Sequence, residues 1–443
     1  MRARLSFQQK AVALTALLLL QGCHSPEPDE LLFTHMYDAL GSAQGQANTE
    51  WLNDRINVFQ RLYPQPLLKL QQVKWDNIDT KVMSDYRAGI RHDVVFTSYQ
   101  LLAKHRLVGD LADLDPLMNW PAEKVAEFSW SPIWHGCVVN GKRLGLPLGS
   151  HARLCVYNKE MFRQAGLDPD KPPQTMDELV QCAQKLTRDL DGDGLIDVWG
   201  LGMYLGPSRA NLELVFGPLL WHFNGTLWDE KSKRACFASA EGEQTAQFIK
   251  ALLKTWRVTP PWAISGTYDD VVMRAFFNEK IAIAWGWGSY WIQALEQSGW
   301  VTGCHPPTVG AQMPKAGLFI TPTHSQTSFT NTWTVSIHSR AKWPEAGMKL
   351  IEILMDPIAL TKAPDSGLPL EKSMWERPEY QTPFYQTWFQ AIEKGRGMPP
   401  TGHYEELSGS IVAAMQEILV RDRDIRTTLR KFQEAYNKRY AGE

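Results

Sequence analysis

Apolar positions along this chain change period repeatedly, and each change marks a switch between strand and helix. Leu31-Leu32-Phe33 begins a strand; Trp51, Ile56, Phe59 and Leu62 then recur near helical spacing up to a stop at Tyr63-Pro64. Residues 67–73 alternate as a strand does, 78–88 predict a helix, and Asp93-Val94-Val95-Phe96 is an apolar strand opened by an acid. The order βαβαβ predicts a doubly wound sheet with a ligand crevice at the carboxyl ends of its strands. Asn140-Gly141, between short apolar runs in 138–147, signals a hairpin.

A second series follows. Leu154-Cys155-Val156-Tyr157 suits a buried strand, a short helix from Asn158 stops at Gly166, and the prolines of 167–173 prevent any continuation. Thr175 with Glu178 forms a capping-box pattern, after which Leu179, Cys182, Ala183 and Leu186 share one helical face. Helices are expected over 211–222, 241–256 and from Asp270 to a turn at 278–280, and a strand over 281–284 with a loop carrying Trp285, Trp287, Tyr290 and Trp291. A strand over 329–337, a helix to Leu354 and closing helices over 405–440 complete the reading.

Several strings carry more than periodicity. Tyr157-Asn158-Lys159, Phe162, Ala165-Gly166-Leu167-Asp168, Pro172-Pro173, Thr175, Asp177-Glu178-Leu179 and Lys185-Leu186-Thr187 together resemble a segment of the family 1 extracellular solute-binding proteins of ABC importers, the maltose-binding-protein-like group. Phe59 with Tyr63-Pro64, Ala88-Gly89, Asp93-Val94 and 111–114 extend the resemblance toward the amino end, and Pro344-Glu345-Ala346 toward the carboxyl end. It implies an α/β, periplasmic-binding-protein-like (type II) fold: two doubly wound α/β lobes joined by a three-crossing hinge. The lobes would comprise 31–150 with 332–367, and 151–331 with 368–443. It also implies a monomer that takes a sugar or oligosaccharide and delivers it to ABC permease transmembrane subunits.

The amino terminus adds an address. Arg2, Arg4 and Lys10 precede an apolar stretch over 11–20 that is too short to span a bilayer, and Leu20-Gln21-Gly22-Cys23 resembles a lipobox. Residues 1–22 therefore read as a lipoprotein signal peptide, Cys23 as the lipidated residue and 23–30 as a tether. That places the protein in the periplasm or at the cell surface, anchored to a bacterial membrane through its lipid. A length of 443 residues requires more than one core. A formal charge of −2 gives no basic footprint for nucleic acid. Five cysteines follow Cys23, an odd number without a Cys-x-x-Cys pair.

Candidate ligand contacts are the polar residues just after strands in the first lobe, Tyr37, Asp38, Thr97, Ser98 and Gln100, with His151 at the hinge and Trp221 at a helix end. Eighteen tryptophans are many, and indole faces pack well on the C–H faces of sugar rings, so Trp285 or Trp287 is expected to stack on ligand, with Trp333 a further candidate. Asp189, Asp191, Asp193 and Asp197, with Gly194 among them, match the front of an EF-hand loop and could hold structural Ca2+. Gly200 stands where the bidentate acid belongs, so a further carboxylate such as Glu213 would be needed; the other reading is an Asx-rich turn. No cofactor is required. The chain lacks a phosphate-binding loop, a nucleophile elbow and a His-Glu-x-x-His helix. The alternatives are a secreted glycoside hydrolase, which needs only two carboxylates, and a sensor partner that presents bound ligand to a signalling receptor.

Overall fold

A computed structural model describes residues 29–37, 43–324, 326–363 and 367–442. The signal segment, Cys23 and Asp38 lie outside the described residues. Two five-stranded sheets carry the fold. In chain order the strands are β1 (Glu30–His35), β2 (Leu67–Gln72), β3 (Val94–Ser98), β4 (Leu146–Pro147), β5 (His151–Asn158), β6 (Trp199–Gly202), β7 (Ile281–Gly288), β8 (Ala316–Ile320), β9 (Thr330–Asn331) and β10 (Trp333–Ile337).

The first sheet runs β2-β1-β3-β10-β4. Its β1, β2 and β3 are parallel, linked by helices α1 (Ala43–Leu62) and α2 (Ile78–Arg87), and β10 joins antiparallel. The second sheet runs β8-β5-β7-β6, with β9 also paired to β5. Each sheet is buried in its own core: Phe33, Phe59, Val94, Phe96, Val335 and Ile351 around the first, Leu154, Val156, Phe162, Leu201, Ile283 and Trp388 around the second. The architecture is the two-lobed α/β type that the resemblance implies.

The chain passes between sheets where β4 gives way to β5, and again between β9 and β10. The 329–337 segment is thus two strands. Thr332 marks the break; its hydroxyl donates to Gly149 O at 2.6 Å, tying the two crossings together. A third pass runs alongside, with Ser150 and Leu368 exchanging backbone bonds of 2.8 and 2.9 Å.

The Tyr157-Asn158-Lys159 string has a local structural explanation. The Tyr157 hydroxyl donates to Pro169 O at 2.7 Å, the Asn158 side chain caps the next helix by accepting from the amides of Glu160 and Met161, and Lys159 pairs with Asp170 at 2.9 Å. Tyr157 and Lys159 thereby hold the proline loop, while Asn158 between them starts the helix. Thr175 then caps α3 (Met176–Leu186), accepting from the Glu178 amide at 3.2 Å, while Glu178 accepts from the Gln174 amide at 2.7 Å. Among the described residues no helix is long and apolar enough to cross a membrane.

Candidate functional site: a cleft between the two sheets

A cavity of about 860 Å³ separates the two sheets. The parallel strands of the first sheet end on it: Tyr37 follows β1, Trp75 and Asp76 follow β2, and Ser98 and Gln100 lie at the end of β3. The second sheet answers with Arg209 beyond β6, and Tyr290 and Trp291 beyond β7. His151 and Arg153 on β5, with Asn331, Thr332 and Trp333 at a crossing, line the region between. This is the strand-end crevice that the βαβαβ order implies.

The first-lobe wall is a closed hydrogen-bonded set. Asp79 is 5% exposed; its Oδ1 accepts from the Ser98 amide at 2.9 Å and lies 2.9 Å from His105 Nε2, and its Oδ2 accepts from the Ser98 hydroxyl. His105 Nδ1 meets Asp110 at 2.9 Å. Burial alone would lower the His105 pKa, but hydrogen bonds and charge from Asp110 and Asp79 outweigh it and raise the imidazole to about 9. One imidazolium held between two carboxylates thus fixes Ser98 at the wall. Opposite, Glu213 accepts from Arg209 at 3.0 Å and from the Tyr404 hydroxyl at 2.7 Å.

Of the residues expected from sequence, Tyr37, Ser98, Gln100, His151 and Trp333 come together on this cavity. His151 Nδ1 lies 3.1 Å from Ser289 Oγ, and its ring meets Tyr290 edge-on at 5.6 Å. Thr97 does not reach the cavity. As a strand neighbour of Ser98 it points the other way, where its hydroxyl bonds Thr334 at 2.7 Å and Ser336 at 3.0 Å. Trp221 is buried 4.8 Å beneath the Arg396 guanidinium, away from the cavity.

The expectation for Trp285 and Trp287 is corrected. Both belong to β7, which continues past Ala284 to Gly288, and both are buried, at 1% and 0% exposure. Gly286, at φ +80°, forms a bulge, so Trp285 pairs with Cys155 and Trp287 with Leu154. Adjacent residues of β5 face opposite ways, and the two indoles therefore lie on opposite faces of the sheet. Trp285 donates its N–H to Leu214 O; Trp287 packs edge-on to Phe276 and Phe277 at 5.4 and 5.7 Å.

The rings on the cavity wall are instead Trp75, Tyr268, Tyr290 and Trp291, beside Tyr37 and Trp333. Trp75 is 59% exposed. It was within reach of the strand-end rule that selected Tyr37 and Ser98, because it follows β2 as they follow β1 and β3. Arg153 carried a different signal, a charge in an otherwise apolar strand.

In the loop at 189–197, oxygens of Asp189, Asp191 and Asp197 lie within 4.8 Å of one another, and Asp193 is not in that group. The carboxylates also accept from their own backbone: Asp189 from the amides of Gly192 and Gly194, Asp193 from Leu195 and Asp197 from Leu190, at 2.7–2.8 Å. Glu213 stands in the cleft with Arg209 and Tyr404, so it does not complete the set.

Proteins with related sequences include several binding proteins. A Brucella abortus protein named only as a binding protein is 27% identical over 214 residues, 48% of each chain. The mannitol-binding protein of Pseudomonas aeruginosa is 28% identical over 196 residues, 43% of this chain and 39% of that one. The matches thus span about half the length of these curated relatives or less. The fold matches the ABC transporter solute-binding protein of Thermotoga lettingae solved with α-D-tagatose, at a TM-score of 0.74 and 24% identity over 92% of this chain and 99% of that one. The family model of the bacterial extracellular solute-binding proteins matches residues 42–359, and the chain belongs to that family.

Proposed function

We propose that this protein is the substrate-binding component of an ABC importer that captures a sugar or oligosaccharide between its lobes. The observation that carries this reading is the 860 Å³ cleft, with indole and phenol rings on both sides and hydrogen-bonding groups between them. Rings cover the C–H faces of a carbohydrate; Ser98, Gln100, His151 and Asn331 meet its hydroxyls. The mannitol-binding relative supports a ligand of sugar or polyol type.

The lobes are 31–150 with 332–367 and 151–331 with 368–443. A ligand that touches both favours the closed arrangement by its extra contacts there, and the three adjacent crossings serve as the hinge. The closed monomer then docks on permease subunits. Residues 1–22 direct export, and a lipid on Cys23 tethers the protein outside the cytoplasmic membrane.

The test is calorimetric titration of the purified protein with neutral sugars, polyols and acidic sugars, with product analysis in the same samples. Saturable binding without turnover is expected. Hydrolysis that persists through further purification would overturn the receptor reading in favour of a glycosidase.

A further inference from the structure

Arg153 lines the cleft yet is 7% exposed. Its Nη2 reaches only the neutral Asn331 Oδ1, at 3.4 Å, while Nε and Nη1 are buried without an acceptor. The remaining neighbours are ring faces, Tyr290 at 4.9 Å and Phe329 at 5.8 Å from the guanidinium carbon. Cation–π contact returns only part of what burial removes, and a buried cation without a counter-charge is strongly unfavourable. A guanidinium does not escape by losing its proton.

The pocket around it is shaped for the charge. A Cβ on Gly288 would stand 2.4 Å from Arg153 Nη1 and 2.4 Å from the Tyr290 ring, so only glycine leaves room for the guanidinium between them. The other cations and most acids of the wall are already paired. Arg209 holds Glu213, His105 holds Asp79, and Lys104 holds Glu405. Asp76 and Asp269 are exposed to solvent and form no pair with Arg153.

We propose that the ligand supplies the missing counter-charge: the cleft takes a carbohydrate bearing an oxyanion, which pairs with Arg153. The inference rests on the carbohydrate-receptor reading above and narrows it. A uronic-acid carboxylate suits the site better than a phosphate ester. One guanidinium balances one negative charge, whereas a phosphate near neutral pH carries up to two, and Arg209, the other Lys or Arg among the described wall residues, is held by Glu213.

The experiment is calorimetry on wild type, Arg153→Gln and Arg153→Lys with matched sets: neutral mono- and oligosaccharides, the corresponding uronic acids and oligouronides, and sugar phosphates. Uronates should bind on the order of a hundredfold tighter than their neutral counterparts. Arg153→Gln should abolish that preference, and Arg153→Lys should restore part of it. Ligand-free Arg153→Gln should melt no lower than wild type, because it removes an unbalanced charge. A marked fall in its melting temperature would make Arg153 a structural cation and overturn the proposal. Neutral sugars bound as tightly as acids, with Arg153→Gln unchanged, would overturn it while leaving the receptor reading intact. A phosphate preference lost in Arg153→Gln would keep the oxyanion and refute the carboxylate. Binding of no carbohydrate at all would remove both readings.

Discussion

Trp285 and Trp287 stand a few residues from Trp291 in the chain, yet their surroundings differ. Trp285 and Trp287, either side of the β7 bulge, are enclosed by their own chain, one hydrogen-bonded to Leu214 O and the other packed in Phe276 and Phe277. Trp291, just beyond the strand, is half-buried and joins the exposed Trp75 and the half-buried Trp333 on the cleft wall. The difference is whether the protein itself satisfies a side chain or leaves it for something else to satisfy. That distinction holds for charges as well as rings, and each of the following experiments strains it at a different point.

The largest effect belongs to the enclosed group. Trp287→Ala or Trp285→Ala should lower stability by about 3–5 kcal/mol, the usual cost of emptying a large core site. Denaturant unfolding measures the loss, and the folded fraction should bind ligand with wild-type affinity. A variant of normal stability that had lost binding would reverse the assignment of the two groups.

An effect of similar size at neutral pH is expected at the buried charges of the first lobe. His105→Gln leaves Asp79 and Asp110 without their cation, a change of about 3–5 kcal/mol for a broken buried pair. The pH dependence is specific. His105 is raised from 6.5 to about 9 in the folded state, so its contribution is fully present below about pH 6.5 and is lost as pH rises through about 9. Wild-type stability should therefore fall across that interval. The His105→Gln profile should be flatter there; parallel profiles would mean that His105 is not the group being titrated.

Smaller effects are expected at the open rings, and on binding instead of stability. Trp75→Ala and Trp291→Ala each remove a ring from the cleft wall, and a loss of about 2 kcal/mol of binding, or roughly a thirtyfold rise in Kd, is expected. Their melting temperatures should stay near wild type. Wild-type affinity in both variants would show that the wall rings do not meet the ligand.

The limits of the sequence follow from the same distinction. The two α/β series were legible because strand and helix periods alternate cleanly, and the Tyr-Asn-Lys string because its side chains make local bonds, two to the proline loop and one as a helix cap. The indoles were misread because Trp-Gly-Trp-Gly has the composition of a loop, while Gly286 in fact lets β7 bulge and continue. Thr97 was misread because a strand's last residues alternate between wall and interior, and Ser98 took the wall. The crossing at 331–332 was legible, but strand formers on both sides of Thr332 concealed the break that divides 329–337 into two strands. Arg153 shows as a charge among apolar neighbours, but its lack of a counter-charge depends on what β7 and β9 bring beside it, and no local pattern encodes that.

The acidic loop at 189–197 carries the same test to the smallest effect. Four carboxylates in an exposed loop resemble an unfinished metal site, yet the loop already spends their oxygens on its own amides, with Asp189 alone accepting two. Glu213, the further carboxylate a coordination shell would need, is fixed in the cleft. If the chain satisfies these charges itself, removing divalent ions with EDTA should leave the melting temperature unchanged, and adding Ca2+ should not raise it. A metal that bound only the folded protein would instead stabilise it by about 2.7 kcal/mol at a hundred times its Kd. A Ca2+-dependent rise that disappeared in Asp189→Asn would move this loop from the closed groups to the open ones.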